Sequence, residues 1–256
     1  MTAYMSRCAW RLIPGALLLA ALAGCATGPQ ADPRDPLEPM NRAVTQFNDG
    51  VDRALLKPVA TAYTNVTPQP VRTGVTNFFA NLGDVWSFVN NLLQFKGQAA
   101  GESFMRVNVN TFFGLGGVLD IASEMRIPRH KEDFGQTLGY WGVPAGPYVV
   151  LPIFGPSTLR DTAALPVDWK GDLVNQIDHV RTRNATSALR VVNTRANYLR
   201  AGEVFDNAAI DKYSFTRDVY LSIREADVQD RQAPPTSPGS AGDGALPADD
   251  EGRLPE

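Results

Sequence analysis

The chain is poor in the residues that carry redox and metal chemistry: its 256 residues include two cysteines and two histidines. Cys8 lies inside an N-terminal segment that reads as an export signal, and Cys25 follows that segment directly. The mature chain would then keep no thiol for an internal disulfide or a thiolate nucleophile. His130 sits in the polar stretch PRHKED, and His179 has arginines at 181 and 183. Neither has a second histidine at helical spacing, as a zinc site would want, so both are expected at the surface. Long apolar runs are missing too. Beyond residue 24 nothing reaches the roughly 18 apolar residues of a spanning helix, because Asp120 and a series of prolines interrupt the candidates. Alternation of period two is confined to residues 148–153 and is broken by Pro152, so a sheet is not expected. No G-x-S-x-G elbow surrounds Ser157, which reads as the N-cap of a helix beginning TLRD. Gly114-Leu-Gly-Gly117 has no Lys-Ser/Thr after it and no strand before it, so it does not make a phosphate loop. With no nucleophile set, metal set or cofactor motif, the chain does not read as an enzyme, and no cofactor is expected.

What the sequence does have begins at its ends. Arg7 and Arg11 precede the apolar residues 12–23 (LIPGALLLAALA), and Leu22-Ala23-Gly24-Cys25 closes the segment. This reads as a signal peptide over residues 1–24. The last four residues resemble a bacterial lipobox, which implies that Cys25 carries lipid after cleavage. Two or three acyl chains at about 0.8 kcal/mol per buried CH₂ make a stable membrane anchor. Alanine rather than aspartate at position 26 implies, by similarity to bacterial lipoproteins, delivery to the outer membrane. Residues 25–34 read as a lipidated linker. At the other end, residues 230–256 hold five prolines, six acidic and two basic residues and no aromatic. Such a composition cannot bury enough apolar area to offset its ordering entropy, so the segment from about 229 onward reads as a disordered tail. The chain without residues 1–24 has 22 basic and 27 acidic residues, a balance that argues against nucleic-acid binding.

Between linker and tail, residues 35–228 read as one domain, and most of it carries helical periodicity. Val71, Val75, Phe78, Phe79, Leu82, Val85, Trp86, Val89, Leu92 and Leu93 recur at three- and four-residue steps, with a break expected at Gly83. Further helices are expected over residues 98–113, over 172–200, and over 215–227 with Ser214 as N-cap. Apolar stripes of this kind ordinarily become core, and that is the expectation for at least half of these residues. The domain therefore reads as all-α, built from amphipathic and partly broken helices.

One stretch resists that description. Residues 134–159 contain no charge, five glycines, four prolines and five aromatics. The prolines forbid a continuous helix. An uncharged run that can neither span a bilayer nor form a regular element is most simply placed within one leaflet, beside amphipathic helices that face acyl chains.

Several motifs are more specific. DPLEPMNR (35–42), Phe47-Asn48, TPQPVRTGVTNFFANL (67–82), NNLLQ (90–94), RVNVNTFFGLGGVLDIA (106–122), EDFGQTLGYWGVPAGPYVVLPIFGPSTLRD (132–161) and DKYSFTRDVY (211–220) together resemble the VacJ/MlaA family of outer-membrane lipoproteins. The likeness covers about residues 35–221; the segment 166–203 matches in helical character alone. The resemblance implies a ring-like helical protein in the inner leaflet of the outer membrane, on its periplasmic side, associated with a trimeric porin. Such a protein removes misplaced phospholipids from the outer leaflet and passes them to a soluble periplasmic carrier, which returns them to an inner-membrane ABC complex. On that reading Phe78, Phe79, Trp86 and Leu93 face lipid. Tyr140, Trp141, Gly146, Pro147, Tyr148, Leu151, Pro152, Phe154 and Gly155 belong either to the channel wall and its gate or to a buried connector. Phe47 and Asn48 resemble a family position that biases the channel between closed and open. The competing class is a structural adaptor lipoprotein that clamps porin or periplasmic partners without conducting lipid.

Overall fold

The computed structural model describes residues 32–199, 201–202 and 211–229. The expected signal peptide over residues 1–24, Cys25, most of the expected linker and nearly all of the expected tail lie outside these residues. The first long element is α1 (Glu38–Val51), which passes through a π turn at Asp52–Leu56 into α2 (Lys57–Val66). Pro58 has no N–H to donate and its ring crowds the preceding turn; the wider π turn just before it absorbs the misfit. Asp52 fixes that turn by accepting two hydrogen bonds, 2.6 and 2.8 Å, from Arg195. Next comes α3 (Gln69–Leu93), which runs 25 residues straight through Gly83 with no break. A single interior glycine weakens a helix by only about 1 kcal/mol, and packing against α4 (Gly97–Phe112) offsets it.

The expectation that the apolar stripe of α3 forms the core is overturned. Its buried positions are Gly74, Asn81, Asp84, Ser87, Asn90 and Asn91, and none of the ten apolar stripe residues is buried. The facing side of α4 buries Ala100, Ser103, Arg106 and Asn110. Among the described residues, twenty polar or charged side chains are buried against nine apolar ones, five of them alanine, while Phe112, Phe113, Leu115 and many other large apolar residues are exposed. This reverses the usual partition of a water-soluble domain. Small and polar residues between helices, with apolar side chains outward, are how helices associate where the surroundings are themselves hydrocarbon.

After α4 the chain makes a tight turn in which Gly117 has φ +93°, and a Cβ there would come within 2.7 Å of Asn81. The Gly114–Gly117 motif thus closes a loop against α3. A short α5 (Ile121–Glu124) leads to α6 (Phe134–Tyr140), which starts with a capping box between Asp133 and Gln136. The run that resisted assignment then forms a two-stranded antiparallel hairpin, β1 (Tyr148–Leu151) and β2 (Gly155–Thr158), with Tyr148 opposite Thr158 and Leu151 opposite Gly155. This corrects the expectation of no sheet: Pro152 sits in the turn, where its missing donor is harmless. Ser157 is therefore a strand residue, and the N-cap of α7 (Leu159–Gly171) is its neighbour Thr158, whose hydroxyl accepts from Asp161 N.

The single helix expected over 172–200 is divided into a 3₁₀ turn at Leu173–Gln176 and α8 (Val180–Asn197), with His179 accepting from Thr182 N at the start of α8. The last helix, α9 (Lys212–Gln229), begins ahead of Ser214; the residue accepting from the backbone N–H of Tyr213 and Ser214 is Asp211. A small apolar cluster of Tyr148, Val150 and Tyr213, with Val44, Tyr220 and Leu221 packed on it, joins α1, the hairpin and α9.

Ion pairs do the rest of the work of holding α9. Arg42 meets Asp211 at 2.7 Å, and Arg224 meets Asp133 at 2.7 Å and Asp161 at 2.9 Å. Burial acts to raise the Asp161 carboxyl, but hydrogen bonds and charge from Arg224 and Arg160 prevail and hold it below the ordinary range. Hydrogen bonds from Arg42 and Ser214 hold Asp211 well below it. A carboxyl with a depressed folded pKa stabilises the fold above its unfolded value, about 3.9 for aspartate, and this stabilisation disappears as pH falls through the folded value. Acidification below about pH 4 is therefore expected to weaken the hold on α9 progressively. The check is near-ultraviolet circular dichroism of the Tyr148, Tyr213 and Tyr220 cluster; a signal unchanged on acidification through the folded value of Asp211 would show that these pairs do not govern the contact.

Candidate functional site

The hairpin is held by an unusual edge. One edge of β1 pairs with β2; the other faces α1, which cannot offer a strand but does offer two asparagines. Asn41 Nδ2 donates to Tyr148 O at 3.0 Å, and Val150 N donates to Asn41 Oδ1 at 2.8 Å. Asn48 repeats the pattern one step along, donating to Leu151 O at 3.0 Å and accepting from Ile153 N at 2.7 Å. A side-chain amide has the donor and acceptor of a peptide group, so each asparagine replaces one rung of a missing strand. The spacing fits: seven helical residues advance about 10.5 Å, and three strand residues about 10 Å. Asn41 is wholly buried and also donates to Asp35 Oδ1 at 2.8 Å.

At the hairpin tip Ile153 has φ +70°, in the left-handed region that a β-branched residue rarely enters. Its backbone N–H is the one fixed by Asn48. Ile153 and Phe154 are 71% and 67% exposed, so the tip is apolar, strained and free on its outer side.

The nine residues of the wall, gate or connector separate into groups. Tyr148 is 1% exposed inside the apolar cluster, against Tyr213 and Tyr220, the position of the connector alternative. Gly146 and Pro147 line a cleft of about 640 Å³ together with Arg160, Arg224 and Val228. Leu151 and Phe154 line a smaller hollow of about 270 Å³ beside Asp161. Pro152 is exposed at the turn, and Gly155, φ +82°, has open space where a Cβ would sit. Trp141 is exposed, packs edge-on to Phe95 and Tyr140, and donates its indole N–H to Leu93 O at 3.2 Å, while Lys96 lies over the Tyr140 ring. Phe47 is exposed beside the Asn48 clamp.

Of the residues assigned to lipid contact, Leu93 is exposed, and Phe78 and Phe79 form a half-buried edge-to-face pair. Trp86 is half-buried: its indole donates to Asp168 Oδ1 at 2.7 Å and its ring fills the space beside Gly171.

The interior carries residues that pattern reading did not single out. Arg106 donates from Nη2 to Asp120 at 2.8 and 3.0 Å, from Nη1 to Ile127 O, and from Nε to Asp84 at 3.4 Å. Arg129 meets Asp84 from the other side at 3.2 Å. Burial raises the Asp84 carboxyl in spite of both arginines, so the pairs compensate for desolvation more than they add to it. Near the hairpin, a Cβ on Gly135 or Gly139 would collide with Asp161 or Arg160, which is why those two glycines stand where α6 meets the ion-paired arginines. The seven-residue spacing of Asn41 and Asn48 was a visible signal for the clamp. The pairing of Arg106 had none, since its partners come from α3 and from the stretch 120–127, both away from its own helix. Between α2, α3 and α8 lies a further cleft of about 580 Å³, lined by polar residues and Arg72.

The sequence matches the model of the MlaA lipoprotein family over residues 33–227. It is 35% identical to the intermembrane phospholipid transport system lipoprotein MlaA of Haemophilus influenzae over 229 residues, 83% of this chain and 85% of that one. It is 34% identical to the protein of that name from Escherichia coli, over 82% of this chain and 86% of the other. A solved structure described as a structural basis for maintenance of bacterial outer membrane lipid asymmetry superimposes with a TM-score of 0.66 at 32% identity, covering 76% of this chain and 98% of that one.

Proposed function

The chain belongs to the MlaA lipoprotein family, and from that premise we propose how it serves phospholipid transport and the lipid asymmetry of the outer membrane. It is anchored through acyl groups on Cys25 to the periplasmic side of the outer membrane, its helices lie in the inner leaflet as a ring, and phospholipids pass through the ring's polar interior. The observation that carries this reading is the inverted burial, with asparagine, aspartate and arginine inside and phenylalanine, leucine and valine outside. A phospholipid headgroup in hydrocarbon costs at least about 2.5 kcal/mol per charge, and its chains in water cost about 0.8 kcal/mol per CH₂. A collar that is oily outside and polar within meets both demands.

No helix among the described residues is long and apolar enough to cross a membrane. As the family resemblance implies, phospholipid is handed to a separate soluble periplasmic carrier, and a trimeric porin supplies a rigid frame in the outer leaflet for the collar. No bond is made or broken in the transfer, and the clefts provide passage rather than chemistry. The test is to delete the gene, measure phospholipid exposed on the cell surface and sensitivity to detergent with chelator, and complement with the wild type and with Cys25→Ser. Surface phospholipid should rise on deletion and return to normal with the wild type alone. Unchanged surface phospholipid after deletion would favour the adaptor reading instead.

A further inference from the structure

Buried cations in this protein are answered by carboxylates: Arg106 by Asp84 and Asp120, Arg160 by Asp161, Arg217 by Asp32 and Asp35. Arg72, in the first turn of α3, is the exception. Its Nε is buried without a hydrogen-bond partner, the one charged group so placed among the described residues. Desolvating a charged donor without giving it an acceptor works against folding. Such a group persists where a ligand supplies what the protein withholds.

The cleft it lines has the matching character. The other described lining residues, Thr64, Asn65, Gln69, Thr73 and Asn197 among them, are all neutral, so among the described residues the hollow holds one cation and no carboxylate. Its floor is fixed by Thr76, whose hydroxyl donates to Arg72 O at 2.9 Å and accepts from Asn193 at 2.8 Å and Asn197 at 3.0 Å. Polar hydrogen-bonding groups around an unpaired guanidinium select an anion, and the planar fork of arginine suits phosphate oxygens bidentately. Next to this polar hollow the surface turns apolar. Val66 and Val71 are 79% and 54% exposed, and across the ridge of Gln69 and Thr73 lies a groove of about 370 Å³ lined by Pro70, Val118 and Leu119. An anionic head and an adjoining hydrocarbon chain would fit the pair of recesses.

We infer that Arg72 binds the phosphate ester of an amphiphile, with the headgroup in the cleft between α2, α3 and α8 and a chain along the neighbouring groove. This rests on the phospholipid-transport reading and adds to it a recognition residue. The cleft holds the shared chemistry of a lipid headgroup and of free phosphate, so both are used as probes.

The test uses the full lipidated chain in dodecyl maltoside micelles, titrated calorimetrically with dihexanoyl phosphatidylglycerol and, separately, with inorganic phosphate. Wild type, Arg72→Gln, Arg72→Lys and the exposed-site control Arg181→Gln are compared. Binding of the short lipid should fall about tenfold or more in Arg72→Gln, less in Arg72→Lys, and not at all in the control. If inorganic phosphate binds and shows the same loss, the phosphate group alone suffices; if it binds to none of the proteins, the chains are needed, and both results support the site. Equal lipid affinity in wild type and Arg72→Gln would overturn it, as would a wild type that binds neither probe. Failure here remains separable from failure of the transport reading, because the gene-deletion assay of surface phospholipid does not depend on Arg72.

Discussion

Arg106→Met is expected to lose about 3–5 kcal/mol of stability, the usual result of stripping one partner from a buried ion pair. Against a total of about 5–15 kcal/mol, that is enough to deplete the protein from the membrane. The physical reason lies in Asp84. Its carboxyl is already raised by burial with two arginines beside it, and the remaining Arg129 is half exposed and reaches it at 3.2 Å. Asp120 would also lose its 2.8 Å contact, loosening the loop that Ser123 and Ile127 help to close. Urea denaturation in detergent would read the loss. The double variant Arg106→Met with Asp84→Asn should recover part of it, because the stranded charge is gone; no recovery at all would mean that the arginine acts by volume instead.

Asn48→Ala is expected to change phospholipid transport while leaving most of the protein in place. Two hydrogen bonds at a half-exposed position contribute about 1–3 kcal/mol together, a loss the fold survives. Locally the change is larger. The left-handed Ile153, a conformation that costs about 1–2 kcal/mol, would lose the bond that fixes its N–H, and the tip carrying Phe154 would be free to rearrange. Surface phospholipid should shift at least severalfold at near-normal protein level. Asn41→Ala should instead lower the protein level, since it strips a wholly buried amide of contacts to Asp35, Tyr148 and Val150. If both variants behaved alike, the two halves of the clamp would have no separate roles and the gate reading of the hairpin tip would fail.

The helices over residues 71–93 and 98–113 were legible because period alone defines them. What period does not tell is which way the stripe points. In water the apolar face of α3 would turn inward; beside hydrocarbon the same pattern turns outward, and the polar positions 81, 84, 87 and 91 become the seam. The hairpin was hidden for a different reason: strands are recognised by alternation over several residues, and here β1 and β2 have four each. The outer edge of β1 is completed by side chains from α1, which leave no mark in the strand itself. The two cap errors are small in sequence and clear in cause. Ser157 and Thr158 are adjacent hydroxyls, and Asp211 outcompetes Ser214 as acceptor because it is charged and sits before the first turn. Tyr148 could not be told from its exposed neighbours, since burial of an aromatic depends on where Tyr213 and Tyr220 arrive. Arg72 is the extreme case, for the lack of a partner is a property of three-dimensional surroundings and no motif announces it.

The paired amides of Asn41 and Asn48 make α1 a ruler. Its two marks are read against backbone, whose spacing no substitution alters, so composition between them can drift while length cannot. Removing a single residue anywhere from 42 to 47 would turn the second mark about 100° around the helix axis and draw it back about 1.5 Å, leaving one rung engaged and the other pointing past the strand. Insertions and deletions in that interval should therefore act as a class, unfastening the hairpin tip whichever residue is touched.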